Sequence, residues 1–250
     1  MNAFFVISVL SFVCGLSFAE QALPDFLHIC KKNDPALQEC FKQSVLTLKP
    51  YLAKGVPEHK IPKLEPLLLK ELLVAEPAGA AQTVSISVNN IKVYGCTDFD
   101  IKNINIDFDH DRADFELLFQ QIYIDGTYDI SGKIILLPVR GNGQIVGNFT
   151  RCVGDCRIET EKVKRDGKEY LHVKSMDLKL QVKQGKVHLY NLFGGVGPLG
   201  DVINSVINQN FDAFSKELFP ALERELSKLF LPMVNSIVSQ YSYDVLFPAS

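Results

Sequence analysis

The middle of the chain, from Thr83 to Phe193, alternates apolar and polar residues with a period of two. This period is that of a β-strand with one covered and one solvent-exposed face. The alternation is clearest in residues 104–109, 115–119, 122–131 and 176–183. It predicts an antiparallel sheet whose strands are joined by turns at Asp125-Gly126, Asp166-Gly167 and Gln184-Gly185. Gly126 also lies within an alternating stretch, where a glycine marks a bulge or a bend.

Both ends of the chain instead repeat apolar residues every three or four positions, which indicates amphipathic helices. The first runs from Asp34 to Lys49, and four prolines make residues 50–66 an irregular connection. The second keeps its apolar stripe from Leu199 to Ile237, which is about 40 residues or ~60 Å of helix. Pro220 and Pro232 should kink this helix without ending it, because the stripe resumes after each. Only a long curved sheet or a partner could cover such a stripe, so we expect one α+β domain with a sheet wrapped around a long C-terminal helix.

Residues 1–19 form a separate, uncharged segment with a short apolar run from Phe4 to Leu16. Ser17 and Ala19 provide the small-x-small pattern that signal peptidase needs, whereas a membrane span would require about 20 apolar residues. We therefore expect residues 1–19 to be a secretory signal and residues 20–250 to be one extracellular domain without stable membrane insertion. The segment has no Lys or Arg before its apolar run, so a buried N-terminal helix or strand stays open as the alternative.

The composition is that of an ordinary globular protein. The chain has 250 residues, 47% of them hydrophobic, with 26 Lys and Arg against 29 Asp and Glu and a net charge of −3. These values exclude a disordered tail and a low-complexity scaffold. Because there is no basic block, they also argue against a nucleic-acid partner, whose phosphates such a block would bind.

Secretion determines how the cysteines are interpreted, because disulfides are the default in an oxidising compartment. Cys30 and Cys40 flank Asp34-Pro35, which looks like a helix N-cap followed by the first helical residue. A bridge between these two cysteines would pin the N-terminal segment to the helix. Cys152 and Cys156 enclose only three residues, and a tight second bridge between them is feasible.

Three further expectations follow from the cysteines and from one asparagine. Cys96 is left over, and we interpret it as a buried structural thiol. The C-x3-C spacing lacks a second pair of ligands, so no metal site is expected. Asn148-Phe-Thr150 is the single N-glycosylation sequon, which predicts a glycan on Asn148 in a surface loop.

The motifs that resemble catalytic or cofactor sites fail on their context. Residues 195–200 match G-x-G-x-x-G, but no strand with an acidic end follows, so we interpret them as a strand-to-helix turn. The acidic run at residues 107–111 begins like a calcium loop but lacks the required glycine and final glutamate, which favours a solvated strand end and its turn. The chain has neither G-x-S-x-G nor H-E-x-x-H, and the sequence predicts no catalytic residue and no cofactor.

The apolar face of the predicted sheet is the remaining candidate site. Its bulky Phe and Ile side chains suit a pocket for an apolar ligand, although the same residues also make an ordinary solid core. Tyr128 shares the parity of Ile124 and Ile130, and its hydroxyl would need a hydrogen-bond partner when buried. We expect an oxygen atom of the ligand to accept a hydrogen bond from this hydroxyl.

Four motifs in the same order resemble the takeout and juvenile hormone-binding protein family of insects, and together they span residues 24–247. The motifs are Pro24-Asp-Phe-Leu-His-Ile-Cys30 with Asp34-Pro35 and Cys40; Gly55-Val-Pro-Glu-His-Lys-Ile-Pro-Lys-Leu-Glu-Pro66; Tyr123-Ile-Asp-Gly-Thr-Tyr128-Asp-Ile-Ser-Gly132 with Gly141-Asn-Gly143 and Gly147-Asn-Phe-Thr150; and Leu192-Phe193 with Leu199-Gly-Asp201, Asn208-Gln-Asn210 and Tyr243-Asp-Val-Leu-Phe247. Cys96, Cys152 and Cys156 depart from the common takeout pattern.

The resemblance implies a single elongated domain in which the curved antiparallel sheet and the long helix enclose an apolar tunnel. It implies a secreted carrier of a small apolar ligand, such as a juvenile hormone-like terpenoid or a fatty acyl lipid, without catalysis. It also makes Cys30–Cys40 the family's N-terminal disulfide. The residues expected to line the tunnel are Phe115, Phe119, Ile122, Ile124, Tyr128, Ile130, Val206 and Phe211.

Two other classes of protein stay open at this point. A secreted interaction module would have its cavity filled by its own side chains and would bind a protein partner. A divergent hydrolase of lipids or esters would need a nucleophile and a base, and the sequence displays no such pair.

Overall fold

Long antiparallel strands and a C-terminal pair of helices dominate the part of the chain that the structure describes. This computed structural model describes residues 23–24, 26–75, 85–134, 137–195 and 198–249, so the predicted signal at residues 1–19 lies outside it. The elements are α1 (Leu37–Lys54), β1 (Leu67–Ala75), β2 (Ser85–Tyr94), β3 (Phe99–Asp107), β4 (Arg112–Ile134), β5 (Leu137–Arg165), β6 (Lys168–Leu189), α2 (Leu199–Gln209), α3 (Phe211–Val238) and α4 (Tyr243–Leu246), with 3-10 turns at Pro57–His59 and Phe193–Gly195. Strands β4, β5 and β6 have 23, 29 and 22 residues, several times the usual length.

The six strands form one antiparallel sheet in the order β1-β2-β4-β5-β6, and β3 also pairs with β4. Because β4 is so long, two shorter strands share one of its edges. Strand β3 pairs with residues 112–119, and β2 pairs with residues 123–131. The sheet is curved, and α3 contacts β6 at one edge of it and β1 at the other. The predicted sheet wrapped around a C-terminal helix is therefore confirmed.

The inward-facing positions change parity in the middle of β4. Phe119 packs in a cluster with β3 and α1, whereas Ile124, an odd number of residues further on, packs against a cluster with α2. Gln120 and Gln121 between them are both exposed, and Arg151, opposite Gln120 on β5, has a left-handed φ of 53°. The register between β4 and β5 does not shift there, so the two strands change face together. The sheet consequently has two inner surfaces, one facing α1 and one facing α2.

One of the three predicted turns is confirmed and two are wrong. Asp166-Gly167 joins β5 to β6 with φ angles of 52° and 79°. Asp125-Gly126 and Gln184-Gly185 lie inside β4 and β6. A Cβ on Gly126 would come within 3.1 Å of the carbonyl oxygen of Asn89, at the position where β2 has a bulge. A Cβ on Gly185 would collide with the ring of Phe211. These two glycines make room for a neighbouring group and not for a turn.

Helix α1 extends past the proline that was expected to end it. It begins at Leu37 and continues through Pro50 to Lys54, where the predicted bounds were Asp34 and Lys49. A proline already has a helical φ, and inside a helix it removes one backbone hydrogen bond. At Pro50 the helix tolerates this loss, and the connection to the sheet is correspondingly shorter.

The C-terminal helix is not continuous, contrary to the prediction. Helices α2 and α3 are separated at Asn210, which has φ −111° and ψ 29°. The side-chain amide of Asn210 donates to the carbonyl of Val206 at 2.8 Å, which satisfies a carbonyl at the end of α2. Pro220 and Pro232 both lie inside α3, as expected. None of the described helices is both long and apolar enough to span a bilayer.

Side chains of α2 and α3 occupy the free edge of β6. Each of four side chains bonds to the backbone of one β6 residue: Asn204 to Leu189, Asn208 to Val187, Asn235 to Val173, and Glu223 to Leu180. Each asparagine accepts from the N–H and donates to the C=O of its partner, with distances between 2.8 and 3.0 Å. We call these four side chains the β6 edge ladder. They satisfy backbone groups that a further strand would otherwise have to bind.

Candidate functional site

The interior is filled where the sheet faces α2, and we call this region the packed end. Buried side chains of β2, β4, β5 and β6 meet the helices there in one cluster. The main contributors from the sheet are Ile86, Ile91, Tyr128, Ile130, Ile145 and Leu189, and those from the helices are Ile203, Ile207 and Phe214. This region has the character of an ordinary protein core.

Tyr128 faces inward at the packed end, as its parity predicts, but its hydroxyl has a different partner from the one expected. Only 3% of Tyr128 is exposed, and its hydroxyl donates to the backbone carbonyl of Tyr190 at 2.7 Å. Burial, with a smaller contribution from the charge of Asp129, raises the pKa of Tyr128 to about 12. A tyrosine hydroxyl has a single proton to donate. In this structure the proton is therefore used within the protein, and donation by Tyr128 to a ligand oxygen stays a prediction.

Where the sheet faces α1, a cavity lies beside the packed cluster of β3, β4 and α1, and we call this region the hollow end. A cavity of about 180 Å³ lies between α1, the β3–β4 hairpin, β5, β6, the end of α3 and the C-terminal segment. The aromatic residues on its walls are Phe41, Phe108, Phe115, Tyr243 and Phe247, and α3 contributes Val234 and Val238. A hole of this kind among apolar side chains is what an apolar ligand needs.

The acidic run at residues 107–111 forms the β3–β4 turn at the rim of this cavity. One carboxylate oxygen of Asp107 accepts hydrogen bonds from the N–H groups of Asp109 and His110, both at 3.1 Å. The other oxygen lies 2.8 Å from Nδ1 of His110, and this hydrogen bond is the main cause of a lowered pKa at Asp107. The run is a hairpin turn held by its first carboxylate, in agreement with the interpretation from sequence.

Tyr243, in α4, brings a buried hydroxyl to the hollow end. Only 5% of Tyr243 is exposed, and its hydroxyl has no hydrogen-bond partner among the described residues. Its ring meets the ring of Phe247 edge-on with centroids 5.2 Å apart, and the Nζ of Lys162 lies 4.2 Å from its centroid. Burial and then the charge of Asp111 raise the pKa of Tyr243. The hydroxyl accordingly stays protonated and able to donate.

The N-terminal segment and the C-terminal tail are tied together beside this cavity. The predicted Cys30–Cys40 disulfide is present, which confirms that prediction. The N–H of Lys32 donates to the carbonyl of Pro248 at 2.8 Å. In α1, the side chain of Gln38 both donates to and accepts from the backbone of β3. The walls of the hollow end are thus held by a covalent bond and by hydrogen bonds between distant parts of the chain.

One row of residues crosses the sheet between the two ends. Ile122, Phe149 and Gly185 are neighbours in the register of β4, β5 and β6. The ring of Phe211, at the start of α3, lies over Gly185, with its centroid 6.0 Å from that of Phe149 and 6.3 Å from that of Phe219. The inner face is therefore apolar along the path from the hollow end to the packed end.

The structure divides the eight residues that were predicted to line the tunnel among different places. Phe115 lines the hollow end; Tyr128 and Ile130 lie in the packed end and Ile124 packs against it; Phe119 packs against Phe99 of β3; and Ile122, Val206 and Phe211 are partly buried. They are not brought together around one cavity. Their contact with a ligand stays a prediction.

The predicted second disulfide is wrong. Cys152 and Cys156 are both free thiols. They lie in the continuous strand β5, where residues four apart are separated by ~13 Å, and a disulfide joins Cα atoms less than about 7 Å apart. Burial raises the pKa of Cys152 to about 11, and burial with nearby carboxylates raises that of Cys156 to about 12. Burial also raises the pKa of Cys96 to about 12, which agrees with a structural thiol.

Asn148 is exposed but does not lie in a loop. It sits in the interior of β5 and pairs with Tyr123 on one side and Lys186 on the other. Its side-chain oxygen accepts a hydrogen bond from the amide of Gln121 at 2.9 Å. The expected surface loop is therefore wrong, and glycosylation of Asn148 stays a prediction.

The C-terminal segment is the part of the hollow end that sequence reasoning missed. The ring of Phe247 lies 5.9 Å from that of Phe41 and 5.2 Å from that of Phe108, which joins residues more than 100 positions apart. The available signal is the motif Tyr243-Asp-Val-Leu-Phe247, which is among those that carry the family resemblance. Its two aromatic residues are four apart, a spacing that places them on one side of a helix.

A wider depression of about 590 Å³ lies on the outer face of the sheet, where the parity changes. Its lining consists of the exposed polar residues Gln120, Arg151, Gln181 and Lys183 together with Leu118, Val153 and Val182. Because two of these side chains are charged and exposed, the depression is a weaker candidate for an apolar ligand than the hollow end.

Comparisons with known proteins agree with the fold described above, a curved antiparallel sheet with a long C-terminal helix. The haemolymph juvenile hormone binding protein family matches residues 7–248 of the chain. The circadian clock-controlled proteins daywake of Drosophila yakuba and Drosophila melanogaster are 25% and 24% identical to it over 249 residues, which cover 96% of this chain and 94% of each relative. The crystal structure of Takeout 1 from Epiphyas postvittana is similar with a TM-score of 0.77 and 20% identity, covering 88% of this chain and 99% of that one. The last similarity shows a shared fold.

Proposed function

Because the chain belongs to the haemolymph juvenile hormone binding protein family, we propose that it is a secreted carrier of a small apolar ligand. The ligand class is a juvenile hormone-like terpenoid or a fatty acyl lipid, bound in an internal tunnel without catalysis. The observation that carries this proposal is the cavity of about 180 Å³ at the hollow end, with its largely apolar walls.

An apolar cavity leaves the side chains around it without contact partners on one side. Protein interiors are normally close-packed, so such a space is unfavourable unless something occupies it during function. An apolar ligand would restore these contacts with Phe115, Val234 and their neighbours. Removal of the ligand's own surface from water would contribute about 25 cal/mol per Å².

The size of the cavity suggests that it holds only one end of the ligand. Pockets for whole small molecules have volumes of about 300–1,000 Å³. We expect the rest of an elongated ligand to lie on the apolar row of Ile122, Phe149 and Gly185, next to Phe119. The ring of Phe211 would have to swing away from Gly185 to open this path. This path toward Tyr128 and Val206 is the proposed tunnel.

The proposal includes an extracellular location. Residues 1–19 would be removed as a signal, and residues 20–250 would be the mature protein. The Cys30–Cys40 disulfide supports this, because disulfides persist in oxidising compartments. Asn148, which is exposed on β5, would carry the glycan.

A secreted interaction module is the second candidate, and the packed end favours it. Ile207 and Phe214 fill that region in the same way as in a solid core. A module of this kind would bind a protein partner through its surface and would hold no apolar molecule.

Native mass spectrometry of the secreted protein tests the carrier proposal against the module. We expect a co-purified apolar molecule, or uptake of an added fatty acid methyl ester, by the unmodified protein. Val234→Phe should lower the affinity for that ester at least tenfold, because the larger side chain occupies the cavity. Val202→Phe is the matched control, since Val202 is 53% exposed on α2 and should leave binding unchanged. Failure of the unmodified protein to retain or take up any apolar molecule would favour the module.

A further inference from the structure

Two neighbouring tyrosines at the C-terminus have buried hydroxyl groups without partners among the described residues. Tyr241 is 3% exposed and Tyr243 is 5% exposed, and neither hydroxyl makes a hydrogen bond there. Buried polar groups in native proteins are rarely left unpaired, so each such group calls for an explanation. Tyr243 lines the cavity at the hollow end, and Tyr241 is not among its lining residues.

Other polar side chains around the cavity are already engaged. The hydroxyl of Thr160 donates to the carbonyl of Asp111 at 3.0 Å. Asp107 is bonded to the β3–β4 turn. Nε of Arg112 is buried and makes no hydrogen bond among the described residues, but it forms an ion pair with the carboxylate of Asp114 at 2.9 Å. Tyr243 is therefore the uncharged buried donor that the described walls leave without a partner.

The surroundings of Tyr243 define the kind of atom that could accept its hydrogen bond. A carboxylate has about four lone-pair sites, and a single hydroxyl cannot compensate for its loss of water. It would also meet the negative charges of Asp107 and Asp111 at the rim, whereas the positive charge of Arg112 on the same wall is already paired with Asp114. A cationic group would meet Lys162, whose Nζ lies 4.2 Å from the ring of Tyr243. A neutral oxygen, as in a ketone, ester or ether, needs no more than one donor.

We propose that the hydroxyl of Tyr243 donates a hydrogen bond to a neutral oxygen at the end of an apolar ligand that enters the hollow end. This inference rests on the proposed carrier function and adds to it the orientation and chemical class of the bound end. The volume of about 180 Å³ corresponds to roughly six times the space of a water molecule in the liquid, enough for an ester group with a few carbon atoms. The remaining hydrocarbon would point toward Phe119.

The first test compares tyrosine variants by displacement of N-phenyl-1-naphthylamine from the secreted protein. The competitors are methyl decanoate and undecane, which have similar hydrocarbon surfaces and differ in the ester oxygens. Tyr243→Phe should weaken methyl decanoate about three- to tenfold, the equivalent of one hydrogen bond, and should leave undecane within twofold. Tyr241→Phe is the matched control, with an equally buried and unpartnered hydroxyl, and should leave both competitors within twofold.

The second test uses the unmodified protein, so it does not depend on the folding of a variant. The infrared carbonyl band of methyl decanoate labelled with ¹³C at its carbonyl should lie at a lower frequency in the complex than in dry hexane, because a hydrogen bond weakens the C=O bond. A band at the hexane frequency would overturn the inference, as would equal ester affinities of Tyr243→Phe and Tyr241→Phe. In both of these cases the probe would still bind and the carrier function would stand. If the unmodified protein binds neither the probe nor the competitors, the carrier function itself fails.

Discussion

The packed end and the hollow end are built by the same sheet and by the consecutive helices α2 and α3, yet one is solid and the other contains a cavity. At the packed end the helices direct Ile203, Ile207 and Phe214 toward the sheet. At the hollow end α3 presents Val234 and Val238, which are shorter side chains. Both parts of the sheet carry bulky inward residues. The comparison teaches that the helix side chains are larger where this fold is solid and smaller where it contains a cavity.

The two ends also treat a buried tyrosine differently. At the packed end, the backbone carbonyl of Tyr190, just after β6, accepts a hydrogen bond from the hydroxyl of Tyr128. At the hollow end, no described residue accepts a hydrogen bond from the hydroxyl of Tyr243. A buried hydroxyl with a fixed partner belongs to the core, whereas one without a partner is available to a ligand.

The largest expected effect is a difference in stability between the two ends. Val139→Ala should lower the free energy of unfolding by about 2–3 kcal/mol, because it removes two carbon atoms from a filled cluster and leaves a hole there. Val238→Ala, beside an existing cavity, should cost about 1.5 kcal/mol for the two carbon atoms removed. Urea unfolding of both variants measures the difference. Equal losses would mean that the two ends are packed alike.

The next effect concerns the covalent tie at the hollow end. Replacing Cys30 and Cys40 together by Ser should lower the free energy of unfolding by about 2–3 kcal/mol, because the ten-residue separation no longer restricts the unfolded chain. Hydrogen exchange should accelerate most at the N–H of Lys32, which is bonded to the C-terminal tail, and much less at Leu189. Cys96→Ser, which removes a thiol outside any disulfide, is the control. A uniform acceleration over the whole sheet would contradict a local role for the bridge.

The smallest effect sharpens the contrast between the two hydroxyl groups. Tyr128→Phe should destabilise the protein by about 1 kcal/mol, because it leaves the carbonyl of Tyr190 without its donor. It should change the affinity for methyl decanoate by less than twofold, since this hydroxyl has no proton to spare for a ligand. Thermal unfolding and probe displacement measure the two effects. A tenfold loss of affinity would reinstate Tyr128 as the ligand's donor.

Features that depend on neighbouring residues were predictable from the sequence, and features that depend on distant ones were not. The alternation in β4 correctly placed Tyr128 and Ile130 on the covered face, because the period of a strand is local. The change of parity is also visible in the alternation, which is odd at Phe115 and Phe119 and even at Ile124, whereas the left-handed conformation of Arg151 on β5 has no periodic signal. The cavity depends on Phe41 and Phe247, which come together only in the folded chain.

The cysteines illustrate the same limit. The Cys30–Cys40 bridge was predictable because a helix start between the two residues brings them close. The same type of reasoning failed for Cys152 and Cys156, because the glycine between them does not turn the chain. Gly154 is instead part of a long strand, whose length the local pattern did not reveal.

The β6 edge ladder bears on how the protein behaves at high concentration. A 22-residue strand with an unsatisfied edge would be a template onto which a strand from another molecule could add. Asn204, Asn208, Glu223 and Asn235 occupy parts of that edge with side-chain groups that cannot propagate a ladder. The helices thus shield the sheet from intermolecular growth as well as covering its apolar face. Detachment of α2 or α3 would expose the β6 edge and the apolar face of the sheet at the same time, and aggregation would then compete with refolding.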